Sequence, residues 1–161
     1  EHFAEQIAED IREGNYKESD YISVLIADDA TDTSLPFTRQ KIDIALAKGD
    51  EAKAKEIWDS IPETDWQGQY EAGERFNRLN EYERAIECFN NAYEAQIAPR
   101  KMDMMYSLAF LYKKLGRFEE AVKAWECILQ VLKEDYGLTE GNDVEWANSE
   151  MKQLKDLVGA K

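Results

Sequence analysis

Few residues in this sequence have the types and spacing that chemistry requires. His2 is the only histidine, so neither a histidine-dependent catalytic triad nor a histidine metal site is expected. Glu119 and Glu120 are adjacent carboxylates, but neighbours on a helix point about 100° apart and cannot act together on one substrate. The glycine-rich motifs that hold phosphate groups are absent from the sequence. We therefore predict a protein that is not an enzyme and needs no cofactor.

A short acidic segment is the nearest approach to a metal site. Asp28, Asp29 and Asp32 resemble a calcium-binding loop in their charge. An EF-hand loop would also need glycine at its sixth position and glutamate at its twelfth, where this sequence has Thr33 and Arg39. A loop at the end of a helix is the better interpretation, and no metal site is predicted.

The charge of the chain limits the classes of partner that it can bind. Lys and Arg number 20 and Asp and Glu number 34 in 161 residues, a formal net charge of −14. Nucleic acids and anionic lipid surfaces both require a basic face, so neither is an expected partner. The charge favours basic or neutral protein partners. No apolar stretch approaches the length of a membrane-spanning helix, and no signal peptide is recognised. A cytoplasmic location is expected, although a sequence that opens at Glu1 and not at methionine gives no firm evidence on export.

The sequence has two cysteines, Cys88 and Cys127. Both fall within predicted helices, and their separation does not match the close spacing of zinc or redox motifs. We expect two reduced, partly buried thiols rather than a disulfide.

Turn signals divide the sequence into units of similar length. Gly14-Asn15, Gly49-Asp50, Asn80-Glu81 and Gly116-Arg117 follow one another at spacings of 35, 31 and 36 residues. Glycine and asparagine tolerate the left-handed backbone conformation that ends a helix, so each signal predicts a turn between two helices. A period in the thirties is typical of stacked helix hairpins.

Apolar residues recur at helical spacing after the two later turns. Each stripe has a small, a large and a medium residue: Ala85, Phe89 and Ala92, then Ala121, Trp125 and Ile128. We predict an all-α fold, a solenoid of stacked antiparallel helix hairpins in a single domain. Its parts are a degenerate unit 1–34, a weak unit 35–65, clear units 66–101 and 102–135, and a C-terminal capping helix 142–158. Residues 21–26 would also suit a short strand, but the continuing period favours a helix.

The two clear units resemble tetratricopeptide repeats. The matching residues are Gly73, Phe76, Tyr82, Ala85, Phe89 and Ala92 in the earlier unit and Leu108, Ala109, Tyr112, Gly116, Phe118, Ala121, Trp125 and Ile128 in the later one. Gln69 and Met105 stand where the family prefers tryptophan, and Pro99 is expected to end the earlier unit's second helix. The resemblance implies a right-handed superhelix of helix pairs, with a concave groove that holds a peptide or a partner domain.

The resemblance also implies which side chains line that groove. The candidate partner-binding residues are Asp43, Tyr70, Glu71, Glu74, Asn77, Asp103, Tyr106 and Phe110. Family members that clamp the carboxylates of a peptide C-terminus have Lys, Arg or Asn at positions where this chain has acids, so that function is not expected. The acids could pair with Lys or Arg of a ligand, and the rings could stack on its side chains. The alternative is a solvated helix face whose rings pack against the neighbouring unit.

These patterns favour a protein-interaction scaffold that binds a basic or neutral peptide or partner domain in an acidic, aromatic groove. Two alternatives stay open. The chain could be a regulatory or sensor segment of a longer protein, as its first residue, Glu1, is not methionine. It could also be a self-association module that uses the apolar stripe of Phe3, Ile7 and Ile11.

Overall fold

The computed structural model describes residues 41–42, 44–46 and 48–159. Their regular secondary structure is α-helical, with no strand among them, which confirms the all-α prediction for this part of the chain. The degenerate unit 1–34, with its turn, its possible strand and its acidic segment, lies outside the described residues. The chain divides into two compact units, Glu1–Pro62 and Glu63–Lys161.

In the first unit, a left-handed turn leads from helical residues 44–46 into α1 (Glu51–Asp59). Gly49 has a φ of +76°, as its turn signal predicted. The amide of Asp50 donates to the carbonyl oxygen of Ala45 at 2.8 Å. The Asp50 side chain then accepts a hydrogen bond from an amide in the first turn of α1, which satisfies one of the unpaired donors at a helix start.

The second unit is a succession of helices joined by short connections. They are α2 (Trp66–Arg78), α3 (Tyr82–Glu94), α4 (Asp103–Lys114), α5 (Phe118–Tyr136) and α6 (Asn142–Gly159). Each of these helices packs on the next one along the chain. Among the described residues, no helix is long and apolar enough to cross a membrane.

The turns from α2 to α3 and from α4 to α5 have the same geometry. Asn80 and Gly116 have φ values of +62° and +75°, the conformation that their residue types predicted. In each turn the next residue's amide donates to a carbonyl oxygen five residues earlier, at 2.9 and 2.8 Å. The side chain of Asn80 also accepts a hydrogen bond from the Tyr82 hydroxyl at 2.8 Å. The two turn signals that recur in the sequence thus form turns with the same backbone structure.

The predicted apolar stripes form the core of this unit. The six stripe residues of α3 and α5 are each at most 1% exposed: Ala85, Phe89, Ala92, Ala121, Trp125 and Ile128. Gly73 of α2 lies directly against the ring of Phe89. A Cβ atom built on Gly73 would come within 2.7 Å of two ring carbons of Phe89, so α2 approaches α3 as closely as a glycine permits.

The α3 helix ends at Glu94, before the residue that was predicted to stop it, Pro99. The Gln96 side chain accepts a hydrogen bond from the Lys101 amide at 2.6 Å and donates one to the Lys101 carbonyl at 3.0 Å. These two bonds close a loop over residues 96–101. The chain therefore leaves the helix early to form this loop.

Arg100 anchors the same loop to the end of α5. Its Nε donates to Asp135 Oδ2 at 2.8 Å, its Nη2 donates to Oδ1 at 3.0 Å, and its backbone amide also reaches Oδ2 at 2.8 Å. Its Nη1 donates to the Tyr93 hydroxyl at 2.8 Å. The Asp135 side chain is only 4% exposed. The Arg100 guanidinium and amide hold the pKa of the Asp135 carboxyl below its ordinary value.

Candidate partner-binding surface

The predicted site residues occupy two helices of the second unit. Tyr70, Glu71, Glu74 and Asn77 are on α2, and Asp103, Tyr106 and Phe110 are on α4. Asp43 lies outside the described residues. A hydrogen bond from Ser107 Oγ to Glu74 Oε1, at 2.9 Å, joins the two groups. We call the surface that carries these residues, together with the adjoining part of α6, the α2–α4–α6 face.

An aromatic cluster of Tyr106, Phe110, Trp125 and Trp146 lies where α6 meets α4. The ring of Phe110 meets Trp125 edge-on at 5.8 Å between centroids, and Trp146 meets Trp125 edge-on at 5.1 Å. Trp125 is 1% exposed, whereas Phe110 is 44% and Trp146 is 42% exposed. The cluster thus has a buried base and two rings open to solvent.

The ring of Tyr106 packs against other rings of the cluster, so it is less available to a partner than the sequence indicated. Its ring stacks on Trp146, with 5.2 Å between centroids and 16° between planes, and also meets Trp125 edge-on at 5.6 Å. This matches the alternative interpretation for Tyr106, in which the ring packs against a neighbouring element. Phe110 keeps a large exposed surface and is the more accessible of the two predicted rings.

Trp146 is the residue of this cluster that the sequence reasoning missed. It lies on α6, which was predicted to cap the domain and not to contribute to the groove. A signal was nevertheless present. Trp146 follows Phe110 by 36 residues, the same interval that separates the turn residues Asn80 and Gly116. Trp146 therefore has the same position after its turn signal as Phe110 has in the preceding unit of the repeat.

Carboxylates surround the aromatic rings of this face. Burial raises the pKa of the Tyr106 phenol, and the negative charges of Asp143 and Asp103 raise it further. Burial likewise raises the pKa of Tyr70, with Glu74 and Asp103 adding to the effect. Both tyrosines remain neutral near pH 7, because their ordinary pKa of about 10 is moved upward. Burial is the larger cause of both shifts, and the carboxylates add to it in the same direction.

At the far end of the cluster, a lysine and a glutamate form an ion pair between α4 and α6. Lys113 Nζ lies 3.5 Å from Glu150 Oε2, with the glutamate side chain 17% exposed. This pair helps to hold α6 on α4. It also directs the Lys113 ammonium toward Glu150.

Several other aromatic rings of the second unit are covered by cations from the chain itself. Lys114 Nζ lies 4.8 Å from the ring centre of Tyr82, and the Arg117 guanidinium lies 5.1 Å from that of Tyr112. Arg84 and Arg100 cover Phe76 and Tyr93 at 5.6 Å each. Within the described part of the chain, no lysine or arginine covers the ring of Phe110 or Trp146.

Cys88 and Cys127 are not joined by a disulfide bond, and Cys88 is fully buried. Burial raises the pKa of the Cys127 thiol, which disfavours the reactive thiolate. Among residues 41–42, 44–46 and 48–159, no group of His, Cys, Asp or Glu side chains is arranged to hold a metal ion.

Comparison with known proteins gives no assignment, since no protein-family model and no curated protein matches this sequence.

Proposed function

We propose that this chain is a non-enzymatic protein-interaction scaffold that binds a basic segment of a partner on the α2–α4–α6 face. The exposure of Phe110 and Trp146 above the buried ring of Trp125 is the observation that carries the proposal. Large aromatic residues seated on a packed base are typical anchors of protein interfaces, because they bury much area at little cost in side-chain entropy.

The repeat supports the architectural part of the proposal. Two helix pairs have turns of the same geometry at Asn80 and Gly116, and every helix from α2 to α6 packs on its neighbour in sequence. We infer from this a solenoid of tetratricopeptide-like helix pairs, with α6 as its C-terminal cap. In such an array the first helices of successive pairs lie side by side. Contacts that α4 makes with both α2 and α6 agree with this order.

Charge supports the choice of a basic partner. Asp103 and Glu74 lie close enough to Tyr70 to raise its pKa, and Asp143 acts on Tyr106 in the same way. The chain as a whole has a net charge of −14. A positively charged segment would therefore be attracted to this face, and its association should weaken as salt screens the interaction.

The experiment is a selection from a random peptide library displayed on phage, with the full chain as target. We expect enriched peptides to contain Lys or Arg next to apolar residues, and their affinity to fall as ionic strength rises. Enrichment of acidic peptides, or of none above the background of an unrelated protein, would overturn the proposal.

A pair of charge-matched variants locates the binding face. Glu74→Gln combined with Asp103→Asn removes two negative charges from the α2–α4–α6 face. Glu87→Gln combined with Glu126→Gln removes two from exposed positions on α3 and α5. Only the first pair should weaken the selected peptides. Equal loss in both pairs would mean that net charge, and not this face, determines binding.

A further inference from the structure

We infer that Phe110 and Trp146 form the seat for one arginine side chain of the bound segment. This inference rests on the proposed function and names the chemical group that the site takes. The ring centroids are 6.0 Å apart and the ring planes are inclined by 37°. Both rings are more than two-fifths exposed, at 44% and 42%, so a planar guanidinium has access to aromatic surface on either side chain.

Several aromatic rings of this chain are covered by cations of the chain itself. Four rings of the second unit are covered by lysine or arginine groups of the same chain, at 4.8 to 5.6 Å from the ring centres. Within the described residues, Phe110 and Trp146 have no such cation. Lys113, one turn after Phe110 on α4, is directed to Glu150. A cation that covers these two rings would therefore come from outside the described residues.

The surrounding charges would stabilise a bound cation. The carboxylates of Asp143 and Asp103 act on Tyr106, which stacks on Trp146. A cation at the Phe110–Trp146 seat would thus combine attraction to the ring faces with attraction to two carboxylates. Both attractions are stronger where water is excluded from one side of the site. The buried ring of Trp125, which lies against Phe110 and Trp146, excludes water there.

Arginine suits this seat better than lysine. Its guanidinium is planar, stacks on aromatic rings and is less strongly hydrated than an ammonium group, so less solvation is lost on binding. Its N–H groups can also donate to a carboxylate while its face lies on a ring. We therefore expect arginine to be preferred over lysine at the position of the partner that meets these rings.

The test is a titration of the full chain with Nα-acetyl-arginine amide, followed by NMR of the tryptophan indole N–H groups. The sequence has four tryptophans, and the Trp146→Phe variant identifies which indole signal belongs to Trp146. We expect a saturable shift of that signal with the arginine compound and a much smaller one with Nα-acetyl-citrulline amide, its uncharged analogue. Equal shifts with the two compounds, or no shift of Trp146, would overturn the inference.

Variants connect the shift to the proposed seat. Phe110→Ala, and separately Asp103→Asn with Asp143→Asn, should weaken binding of the arginine compound roughly three- to tenfold. Leu79→Ala is the matched control, because Leu79 has the same exposed fraction as Phe110, 44%, and directly follows the last residue of α2. Equal weakening by Leu79→Ala would count against the seat.

The outcome for the arginine seat can be separated from that for the proposed function. If library peptides bind the α2–α4–α6 face but replacing each arginine by citrulline leaves their affinity unchanged, the scaffold stands and the arginine seat is wrong. If no library peptide binds but the arginine compound still shifts the Trp146 indole signal specifically, the arginine seat is supported and the scaffold proposal is wrong.

Discussion

The ring of Tyr106 stacks almost parallel on the ring of Trp146, with 5.2 Å between their centroids. This contact joins α4 to α6 across the aromatic cluster. Tyr106 therefore contributes to the proposed binding face indirectly, because it holds Trp146 beside Phe110. In the proposed site, the residues that a partner would touch and the residues that fix their positions are different members of the same cluster.

Phe110 and Tyr106 are predicted to respond differently to truncation. Phe110→Ala removes a ring that is 44% exposed and should weaken a selected basic peptide roughly tenfold, with little change in stability. Tyr106→Ala removes two ring contacts and should also lower the free energy of unfolding by about 1–2 kcal/mol. Isothermal titration calorimetry and urea unfolding measure the two effects. The double variant should abolish binding and keep most of its helicity by circular dichroism; unchanged binding would move the site off this face.

Trp125→Ala is predicted to be severely destabilising. Trp125 is 1% exposed and touches three other rings of the aromatic cluster, so its removal leaves a cavity where α4, α5 and α6 meet. We expect a loss of about 3–5 kcal/mol in the free energy of unfolding, measured by urea denaturation. Ile97→Ala, at a side chain that is 90% exposed, is the control and should have almost no effect. A comparable stability for both variants would show that the apolar stripe is assigned wrongly.

Gly73→Ala is predicted to destabilise the chain although alanine is the better helix former. The new methyl group would meet the Phe89 ring at 2.7 Å, and this ring is fully buried and has no room to move. We expect a net loss of about 1–2 kcal/mol by thermal or urea unfolding, since overpacking outweighs the gain in helix propensity.

Two further variants test this explanation of Gly73. Gly159→Ala is the control, because a Cβ atom there has no neighbour within 4 Å. Adding Phe89→Leu to Gly73→Ala should cost less than the two single losses together, since each change relieves the other. Strict additivity would mean that the Phe89 ring does not limit the approach of α2 to α3.

Asp135→Asn should change how stability depends on pH. Arg100 lowers the pKa of the Asp135 carboxyl from 3.8 in the native chain. The native state therefore binds the proton less readily than the unfolded state. The pair stabilises the fold above the ordinary pKa, and this contribution is lost as pH falls through the lowered native pKa.

Urea unfolding between neutral and strongly acid pH measures this effect. Asp135→Asn should be less stable than the parent at neutral pH, and its stability should fall less as the solution is acidified. Glu134→Gln is the control, because the Glu134 side chain is 52% exposed and contacts Arg100 at a longer distance, 3.3 Å. An unchanged acid-side slope in Asp135→Asn would show that the Arg100 pair does not govern the transition.

The sequence was most informative where a backbone conformation is open to few residue types. Asn80 and Gly116 were predicted to form turns, because they permit a positive φ where most residues do not, and the structure confirms both. The stripe through Phe89 and Trp125 was also predictable, since its spacing follows directly from 3.6 residues per turn. The end of α3 was not, because it depends on the bonds that the Gln96 amide makes to the backbone of Lys101.

The aromatic part of the proposed binding face was predictable only for α4. The offsets of the repeat placed Tyr106 and Phe110 on one side of α4, but they did not include the helix that packs beside it. Trp146 becomes a neighbour of both residues through the way α6 lies on α4. That relationship is set by tertiary packing, so the local pattern of α4 does not contain it.

The packing of each helix on its sequence neighbours has a consequence for folding and for regulation. Contacts between adjacent helices have short sequence separation, which favours rapid folding. Detachment of α6 would uncover Trp125 and dismantle the Phe110–Trp146 seat while the α2–α3 pair stayed folded. A ligand that binds α4 and α6 together would then stabilise the attachment of α6. Its concentration would set the fraction of molecules in which α6 is detached.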